Sequence, residues 1–358
     1  MTDRVADFHV DFTRFLAPDG TAVAPLPGFF DDPTLRRLYG HMVLARAFDT
    51  KAIALQRTGR LGTYAPSLGQ EAVAVAVGAA MVDTDVLVPS FREHGAQLVR
   101  GVTLQELFLF WAGDERGNDF AGPRQDFPVC IPVGSHAPHA AGVALAFKLR
   151  REARAAVCVF GDGATSKGDV YEAMNLAGAW TLPLVFVVAN NQWAISVRRA
   201  HQTAARTLAQ KAVAAGFAGE QVDGNDVVAL CHALRQALDR ARAGGGPHLI
   251  EALTYRLGDH TTADDASRYR DDEEVGRHWK EDPIARLRAH LTARGAWTRD
   301  DEEALLTDCA ARVEAAARDA QALAPEPAAA LFDHLYATLP PALAGQRAAL
   351  VQAEADHA

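Results

Sequence analysis

The sequence predicts an α/β fold built on a doubly wound parallel sheet flanked by helices. Strand-like and helix-like segments alternate in the order βαβαβ between residues 155 and 255, which is typical of such sheets. The segment 184–189 is apolar at every position, as expected of a central parallel strand that is buried on both faces. Glycine-rich turns over 161–168 and 244–247 separate strands from helices.

Capping residues and apolar spacing predict the elements in chain order. Asp32 and Pro33 are typical of a helix start, and apolar residues recur at helical spacing from there to Arg57. Thr103 and Thr298 are predicted caps of two later helices. We predict helices over 33–57, 69–81, 104–111, 139–151, 169–180, 225–242, 283–295, 299–322 and 330–337, and strands over 85–89, 155–160, 184–189 and 248–255, with a further strand beginning at 221.

The chain divides into an arm, one domain and a tail. Residues 1–32 are rich in proline and glycine and predict an irregular N-terminal arm. Residues 33–322 form the predicted α/β domain, which is followed by a mixed C-terminal tail over 323–358. Two long segments without a helix or strand pattern, 112–138 and 256–274, lie inside the domain. Loops of this length in a compact domain are usually functional.

Composition excludes several classes of protein. Of 358 residues, 49% are hydrophobic and 23% are charged, which excludes a disordered chain. The 36 Lys and Arg residues against 45 Asp and Glu residues give a net charge of −9, so we expect no nucleic-acid partner. No apolar stretch reaches the roughly 18 residues of a membrane span, and no secretory leader is visible. Four scattered cysteines without a CxxC pair predict reduced thiols and a cytoplasmic protein without membrane contact.

Two short motifs follow neighbouring strands of the predicted sheet. Gly161-Asp162-Gly163 ends one strand and Asn190-Asn191 ends the next, with 26 residues between the motifs. Because a right-handed βαβ crossover brings its two strands close together, Asp162 and Asn191 should share the carboxyl edge at which open sheets bind ligands. Carboxylate and amide oxygens suit Mg²⁺, and the glycines let backbone N–H groups approach a phosphate. The motifs therefore predict a site for magnesium and a phosphate-bearing ligand.

Two other phosphate-binding motifs fit this segment less well. A Walker loop requires GxxxxGK[ST], which the residues from Gly161 to Gly168 lack. A dinucleotide fingerprint requires a third glycine, where this chain has Ser166, and an acidic residue about 20 positions later, where this chain has none.

The spacing GDG, 26 residues, NN is the thiamine diphosphate signature. With it, the chain resembles the α subunit of the two-subunit E1 component of 2-oxo acid dehydrogenases, the decarboxylase of the pyruvate and branched-chain complexes. The resemblance extends from about residue 33 to residue 340. The segments that carry it are LQRTGRLGTYAPSLGQEA (55–72), VPSFREHGAQLVRG (88–101), GDGATSKGDVYEAMNLAG (161–178), NNQWAIS (190–196), LAQKAVAAGFAGEQVDGND (208–226) and TYRLGDHTTADDASRYR (254–270).

The resemblance implies thiamine diphosphate and Mg²⁺ as cofactors. It implies that Asp162, Asn191 and the backbone carbonyl of Trp193 hold the metal. The residues implied to bind the cofactor are Phe91, Arg92, Ile131, Val133, Gly161, Asp162, Gly163, Ala164, Asn191 and His260. Phe91 stands where the family has tyrosine, so the phenolic hydrogen bond is absent.

Several of these assignments have structural alternatives. In the family the arginine binds the diphosphate, whereas a surface ion pair is the alternative for Arg92. Ile131 and Val133 would contact the aminopyrimidine ring through their backbone, with Val133 helping to bend the cofactor; the alternative is a place in the core. Some relatives bind a structural potassium ion, and the matching residues here are Cys130, Pro132, Ser135 and His136. The sequence does not decide the roles of His94, His136 and His139.

His260 lies in a match to the family pattern YRxxxH followed by an acidic pair, here Asp264 and Asp265. A lone histidine in an acidic loop is more often a solvated side chain. The resemblance instead implies that His260 contacts the diphosphate and is catalytic, assisting acyl transfer to lipoamide. An imidazole with an unperturbed pKa near 6.5 suits that proton donor, and we expect such a pKa here.

The resemblance implies that the chain contains only the metal–diphosphate half of a thiamine site. It has no second α/β unit large enough for the pyrimidine half, which in two-subunit E1 enzymes lies on a β subunit together with the activating glutamate. The resemblance therefore implies an α2β2 heterotetramer that decarboxylates a 2-oxo acid. It also implies transfer of the acyl group to the lipoyl domain of the E2 core.

The sequence leaves the substrate open among related enzymes. The segments 61–72 and 209–216 resemble pyruvate-type subunits, and the segment 255–270 resembles branched-chain types. We expect pyruvate, with 3-methyl-2-oxobutanoate as the alternative and acetoin less favoured. A split transketolase subunit is disfavoured by the segment around His260, and a non-enzymatic scaffold is disfavoured by the motifs together.

Overall fold

A six-stranded parallel sheet forms the centre of the molecule. The computed structural model describes residues 2–333 and 335–357. Its strands are β1 (Phe12–Thr13), β2 (Val86–Val88), β3 (Ala156–Gly161), β4 (Leu184–Asn190), β5 (Trp193–Ala194), β6 (Val197–Arg198), β7 (Gly219–Asp223) and β8 (His248–Leu253). The sheet has the order β1-β7-β8-β4-β3-β2 with every neighbouring pair parallel, while β5 and β6 form a separate antiparallel pair.

Helices cover both faces of the sheet. The helices are α1 (Asp32–Arg57), α2 (Glu71–Ala80), α3 (His94–Arg100), α4 (Leu104–Ala112), α5 (Ala137–Arg150), α6 (Gly168–Ala179), α7 (Arg199–Gln202), α8 (Lys211–Ala214), α9 (Val227–Arg242), α10 (Asp272–His278), α11 (Pro283–Ala293), α12 (Arg299–Ala322), α13 (Ala330–Asp333) and α14 (Pro341–His357). The order of the long helices and central strands is the predicted one.

Alternate residues of the central strands pack into two different cores. In β4, Val185 and Val187 join the core formed with α1, α2 and α9. Phe186 and Val188 point the other way and join the core formed with α5 and α6. Because successive side chains of a strand face opposite sides of the sheet, a fully apolar strand needs helices on both sides. The prediction of a doubly wound sheet flanked by helices is confirmed.

The N-terminal segment is more regular than predicted. Phe12 pairs with Gln221 of β7, so β1 extends the sheet by one strand at its edge. The amide N–H groups of Phe15 and Leu16 both donate to the Asp226 carboxylate at 2.7 Å, and Leu16 is fully buried. Contacts with residues about 210 positions away therefore hold this segment, and no local pattern could have revealed them.

Two predicted caps are confirmed and one is wrong by a residue. Thr103 and Thr298 each form a capping box with the residue at the third helical position. For α1, the cap is Asp31 rather than Asp32: the Asp31 carboxylate accepts from the Thr34 amide at 2.9 Å. Asp32 is the first helical residue, where its negative charge suits the helix N-terminus.

Several helices were not predicted, among them the short α7 and α8 as well as α3 and α14. The segment 94–100 forms α3, and its close packing on α2 explains why local propensity failed to indicate it: a Cβ at Gly78 would lie 2.8 Å from the Ala96 carbonyl oxygen. The C-terminal tail contains α14. The helix predicted over 330–337 ends at Asp333 in α13, and residue 334 lies outside the described residues.

No helix within residues 2–333 and 335–357 has both the length and the apolar character that a membrane crossing requires. All four cysteines are unpaired thiols, and three of them are buried.

Candidate functional site

A cavity of about 270 Å³ opens at the carboxyl edge of the sheet, beyond the ends of β3 and β4. The predicted residues in its lining are Phe91, Arg92, Val133, Gly161, Asp162, Gly163, Ala164, Asn191, Trp193 and His260. Ile131 is the exception among the predicted residues. It lines an adjoining cavity of about 460 Å³, which shares Phe91, Val133 and His260 with the first.

The register of two strands brings the GDG and NN motifs to one edge. Gly161, the last residue of β3, pairs with Ala189 near the end of β4. Asp162 is thus the first residue beyond β3, and Asn191 is the first beyond β4. Both side chains are buried in the cavity wall. The spacing argument from the sequence therefore located this edge correctly.

The two asparagines of the NN pair have different surroundings. Asn190 Nδ2 donates to Glu251 Oε1 at 2.6 Å, and the other oxygen of Glu251 accepts the amide N–H groups of Leu208 and Ala209. Asn190 therefore holds a neighbouring loop. Asn191 instead lines the cavity, where its Oδ1 accepts from the Trp193 amide at 3.2 Å.

Asp162 is a buried carboxylate without a cationic partner. It is 2% exposed, and its Oδ2 accepts only a neutral hydrogen bond from Gln202 Nε2, at 3.0 Å. In the part of the chain that the structure describes, no Lys, Arg or His nitrogen lies within 4.0 Å of it. Burial raises the pKa of Asp162 to about 6. A bound cation would favour the ionised carboxylate and lower this pKa again.

Arg92 is the complementary case, a buried cation without a carboxylate partner. Its guanidinium donates to the Pro66 carbonyl oxygen and, at 2.7 Å, to the His260 carbonyl oxygen. The adjacent Glu93 carboxylate accepts instead from Ser90 Oγ at 3.0 Å and from the Arg92 backbone amide at 3.2 Å. Burial, and then the charge of Arg256, lower the pKa of Arg92 to about 10. The surface ion pair considered for Arg92 is therefore excluded within the described residues.

These two isolated charges specify the kind of ligand that the cavity fits. A buried charge without a partner is costly, and Asp162 and Arg92 are two such charges of opposite sign in the wall of the cavity, which also includes the buried carboxylate of Glu93. A ligand that brings a metal cation together with an anionic group would compensate both. A metal-bound diphosphate has this charge distribution.

His260 is half-buried, and its protonation differs from the expectation. Arg92 Nη2 donates to His260 Nδ1 at 2.9 Å, which leaves the imidazole proton on Nε2. Burial, followed by the charges of Arg92 and Arg256, lowers the pKa of His260 to about 4. This pKa lies below the expected value near 6.5, because a sequence shows neither how deeply a histidine is buried nor which cations surround it. The Nε2–H group of the neutral ring can donate a hydrogen bond, while transfer of a proton requires the imidazolium form.

Trp193 lies in a short, constrained segment. Gln192 and Ile195, on either side of β5, have positive φ angles of 72° and 53°, which non-glycine residues adopt only when the surroundings impose them. The Trp193 carbonyl oxygen accepts from Arg256 Nη1 at 3.3 Å. A carbonyl oxygen has two lone pairs, so this contact leaves one for another partner. The role of Trp193 as a metal ligand stays a prediction.

The long loop before α5 presents apolar side chains to solvent. Ile131 and Val133 are 50% and 47% exposed, so the alternative that they are core residues is wrong for this chain. Their predicted contact with the pyrimidine ring stays untested. Ser135 Oγ donates to the Pro132 carbonyl oxygen at 2.7 Å, and Cys130 Sγ lies 3.4 Å from the same oxygen. The potassium site likewise stays a prediction.

Three further histidines differ in their surroundings. His94 is fully buried; its Nε2 accepts from Trp111 Nε1 at 3.0 Å, and burial lowers its pKa to about 3, so its role is in packing. His136 lines the cavity and donates from Nε2 to the Val159 carbonyl oxygen at 2.8 Å. His139 is exposed.

Sequence reasoning missed residues that act through long-range contacts. Gln70 and Gln202 hydrogen-bond to Asn191 and Asp162 across 121 and 40 positions of sequence. The buried Lys211 donates from Nζ to Thr165 Oγ1 at 2.9 Å and so holds the turn that starts at Asp162. No local spacing could have indicated these contacts.

A second cavity, of about 380 Å³, lies at the same sheet edge beyond β7 and β8. Most of its charged side chains are paired with one another, whereas Arg199 donates only to backbone carbonyl oxygens. Asp223 contacts Arg14 at 2.6 Å and Arg286 at 2.7 Å, and Arg198 contacts Glu274 at 2.6 Å. Because these charges compensate one another, this cavity is the weaker candidate for a charged ligand.

Position 163 requires glycine because the turn after β3 passes close to β5. This contact leads to a prediction about stability. A Cβ at Gly163 would lie 2.6 Å from Ala194 Cβ, whereas a Cβ at Gly161 meets nothing within 4 Å. We expect Gly163→Ala to lower the free energy of unfolding by about 1–3 kcal/mol, and Gly161→Ala to leave it nearly unchanged. Urea denaturation of both variants measures this, and equal stabilities would contradict the described contact between the turn and β5.

Comparison with known proteins identifies the family. Residues 39–329 match the model of the dehydrogenase E1 component family. The chain is 44% identical over 337 residues to the 3-methyl-2-oxobutanoate dehydrogenase subunit alpha of Mycobacterium tuberculosis (strain H37Rv), covering 93% of this chain and 92% of that protein. It is 42% identical over 316 residues to the pyruvate dehydrogenase E1 component subunit alpha of Staphylococcus aureus (strain N315), covering 88% and 85%. The corresponding subunit of Acholeplasma laidlawii is 41% identical over 321 residues, covering 87% and 91%.

The family match covers most of the predicted α/β domain, and the relatives match over nearly the whole chain. The resemblance carried by the GDG and NN motifs is thereby confirmed at the level of the family. The chain belongs to the dehydrogenase E1 component family.

Proposed function

We propose that the chain is the α subunit of a 2-oxo acid dehydrogenase E1 and binds the metal–diphosphate end of thiamine diphosphate. The observation that carries this proposal is the pair of buried, unpartnered charges, Asp162 and Arg92, in the wall of one cavity. Family membership supports thiamine diphosphate as the cofactor. Mg²⁺ is supported by the oxygen-only character of the Asp162 and Asn191 side chains that would bind it.

The residues of the cavity would divide the binding as follows. Asp162, Asn191 and the Trp193 carbonyl would hold the metal, while Arg92 and the backbone N–H groups after β3 would bind the diphosphate. When bound, thiamine diphosphate supplies the electron sink that a 2-oxo acid needs to lose carbon dioxide. The chain's own contribution to that step is to hold the cofactor in position and to compensate its charges.

His260 would act after decarboxylation. As the disulfide of the lipoyl group opens, one sulfur takes the acyl group and the other takes a proton. The neutral His260 ring has its proton on Nε2, since Nδ1 accepts from Arg92. A diphosphate beside the ring would raise the pKa of His260, because a nearby negative charge favours the protonated form. We therefore propose that His260, in its protonated imidazolium form, is the proton donor of acyl transfer.

The site would be completed by a partner. We propose that a β subunit supplies the pyrimidine half of the cofactor site in an α2β2 assembly, and that the lipoyl domain of an E2 core takes the acyl group. The exposed Ile131 and Val133 beside the cavity support a further surface that covers this opening. The unpaired cysteines support a reducing compartment, which in this proposal is the cytoplasm.

Catalysis should therefore depend on both subunits. The chain alone should not decarboxylate any 2-oxo acid at any cofactor concentration, because in this proposal the β subunit supplies the pyrimidine half. Adding the β subunit should produce activity that a dye acceptor reports. Turnover by the isolated chain would refute the half-site proposal.

The substrate is proposed as pyruvate, with 3-methyl-2-oxobutanoate as the second candidate. Relatives named for each substrate match at similar identity, 42% and 44%. The assembled enzyme should be assayed with pyruvate, 3-methyl-2-oxobutanoate and acetoin under the same conditions. A kcat/KM that favours 3-methyl-2-oxobutanoate would replace the first proposal by the second.

A further inference from the structure

Gln70 is a buried residue of the cavity that the proposed mechanism does not use. It is 3% exposed and lines the cavity. Its Oε1 accepts a hydrogen bond from Asn191 Nδ2 at 3.0 Å. Its Nε2 is buried and has no hydrogen-bond partner within the described residues. A buried amide N–H group without a partner is costly, so it points to an acceptor that the chain does not supply.

The position of Gln70 in the fold does not account for this side chain. Gln70 is the N-cap residue of α2, but its side chain makes no capping hydrogen bond to the helix. Its backbone is fixed independently, since its amide donates to the Ser67 carbonyl oxygen at 2.8 Å. The preceding Gly69 has a φ of +90° and leaves no room for a Cβ beside the Tyr255 carbonyl oxygen. The backbone conformation at Gly69 and Gln70 thus points the side-chain amide of Gln70 toward Asn191 and the cavity.

The hydrogen bond between the two amides couples their orientations. Asn191 can offer its Oδ1 to a metal only if its NH₂ group faces elsewhere, and Gln70 Oε1 accepts that group. With Oε1 used in this way, the NH₂ group of Gln70 is the part that remains for the cavity. The orientation that suits a metal at Asn191 is therefore the one that leaves a free donor at Gln70.

We propose that Gln70 is a further cofactor-binding residue: its Nε2 donates to a diphosphate oxygen of thiamine diphosphate, while its Oε1 holds the Asn191 amide in the orientation that binds the metal. This inference rests on the proposed function. Gln70 would add a neutral hydrogen-bond donor to a cofactor site that also contains the charged side chains of Asp162 and Arg92. The same residue also positions a metal ligand.

The test is the affinity of the α2β2 assembly for thiamine diphosphate, measured by titration calorimetry in the presence of Mg²⁺. Gln70→Met keeps the length of the side chain but removes both hydrogen-bonding groups. Because hydrogen bonds to charged groups are worth more than neutral ones, we expect the Kd to rise about 10- to 100-fold. The matched control is Gln97→Met: Gln97 is 2% exposed and its Nε2 is also unpartnered, but it lies on α3 outside the cavity lining. Its Kd should stay at the wild-type value.

A second variant separates a contact with the diphosphate from a packing role. Gln70→Glu keeps the shape but places a carboxylate against the diphosphate, so its Kd should exceed that of Gln70→Met at about pH 8. Protonation of the new carboxylate removes the repulsion. The ratio of its Kd to the wild-type Kd should therefore fall as the pH decreases toward about 6. A packing defect would give a ratio that does not change with pH.

The outcomes are distinguishable from failure of the proposed function. If wild type does not bind thiamine diphosphate, the proposed function fails. If wild type binds but Gln70→Met binds equally well, only the role of Gln70 is overturned. If both Gln70 variants fail to assemble while Gln97→Met assembles normally, Gln70 is a structural residue and the proposal is overturned as well.

Discussion

Asp162→Ala should abolish magnesium-dependent binding of thiamine diphosphate by the assembled enzyme, with a loss of affinity greater than about 100-fold. Loss of residues that merely orient metal ligands typically costs 10–100-fold, and Asp162 would be the only charged ligand of this metal. The effect should appear in Kd rather than in folding. Titration of the cofactor against the variant heterotetramer measures it.

The cofactor-free chain should tolerate this substitution. Burial raises the folded-state pKa of Asp162 from its usual 3.8 to about 6, so the folded chain loses stability as the pH rises through this interval and carries the full penalty of the ionised carboxylate above it. Alanine removes that penalty, and the Tm of the cofactor-free chain should not fall at neutral pH. Asp169→Ala is the control, because Asp169 lies on the exposed start of α6 with a half-exposed side chain. An unchanged Kd in Asp162→Ala would refute the metal assignment.

His260→Ala should separate two activities that the wild type couples. Reduction of an artificial dye reports decarboxylation, which requires the bound cofactor and metal, and it should largely survive. Transfer of the acyl group to a lipoyl domain requires a proton at the departing sulfur, and it should fall by about 10²–10⁴-fold, the usual cost of losing a positioned general acid. The two assays on one enzyme preparation give the comparison.

His139→Ala is the matched control for His260, since His139 is an exposed histidine of α5. Both activities of this variant should equal those of the wild type. Equal losses of dye reduction and acyl transfer in His260→Ala would mean that the imidazole only holds Arg92 or the diphosphate. The role in proton donation would then be withdrawn.

The parts of the site that sequence could predict are those that follow from strand geometry. Asp162 and Asn191 each follow directly after a strand, and the two strands are neighbours in a parallel sheet. Their shared edge therefore follows from the chain order of elements alone. The same reasoning explains why the central strands and their long helices were predicted correctly, while α3, held by close packing against α2, was not.

The electrostatic state of the site could not be predicted in this way. Arg92, which lowers the pKa of His260, lies 168 positions away in the sequence. Gln70, which holds Asn191, lies 121 positions away. Such contacts depend on how loops between elements fold against one another, and neither apolar spacing nor capping residues report on that.

The decisive measurement is a calorimetric titration of thiamine diphosphate into three samples: the α2β2 assembly with Mg²⁺, the same assembly with EDTA, and the isolated chain with Mg²⁺. If a metal compensates the charge of Asp162 and a diphosphate compensates that of Arg92, thiamine diphosphate should bind saturably in the first sample only. We expect one cofactor per α chain. Binding of equal affinity in EDTA would contradict the metal–diphosphate site. Equally tight binding by the isolated chain would contradict the sharing of the site with a β subunit.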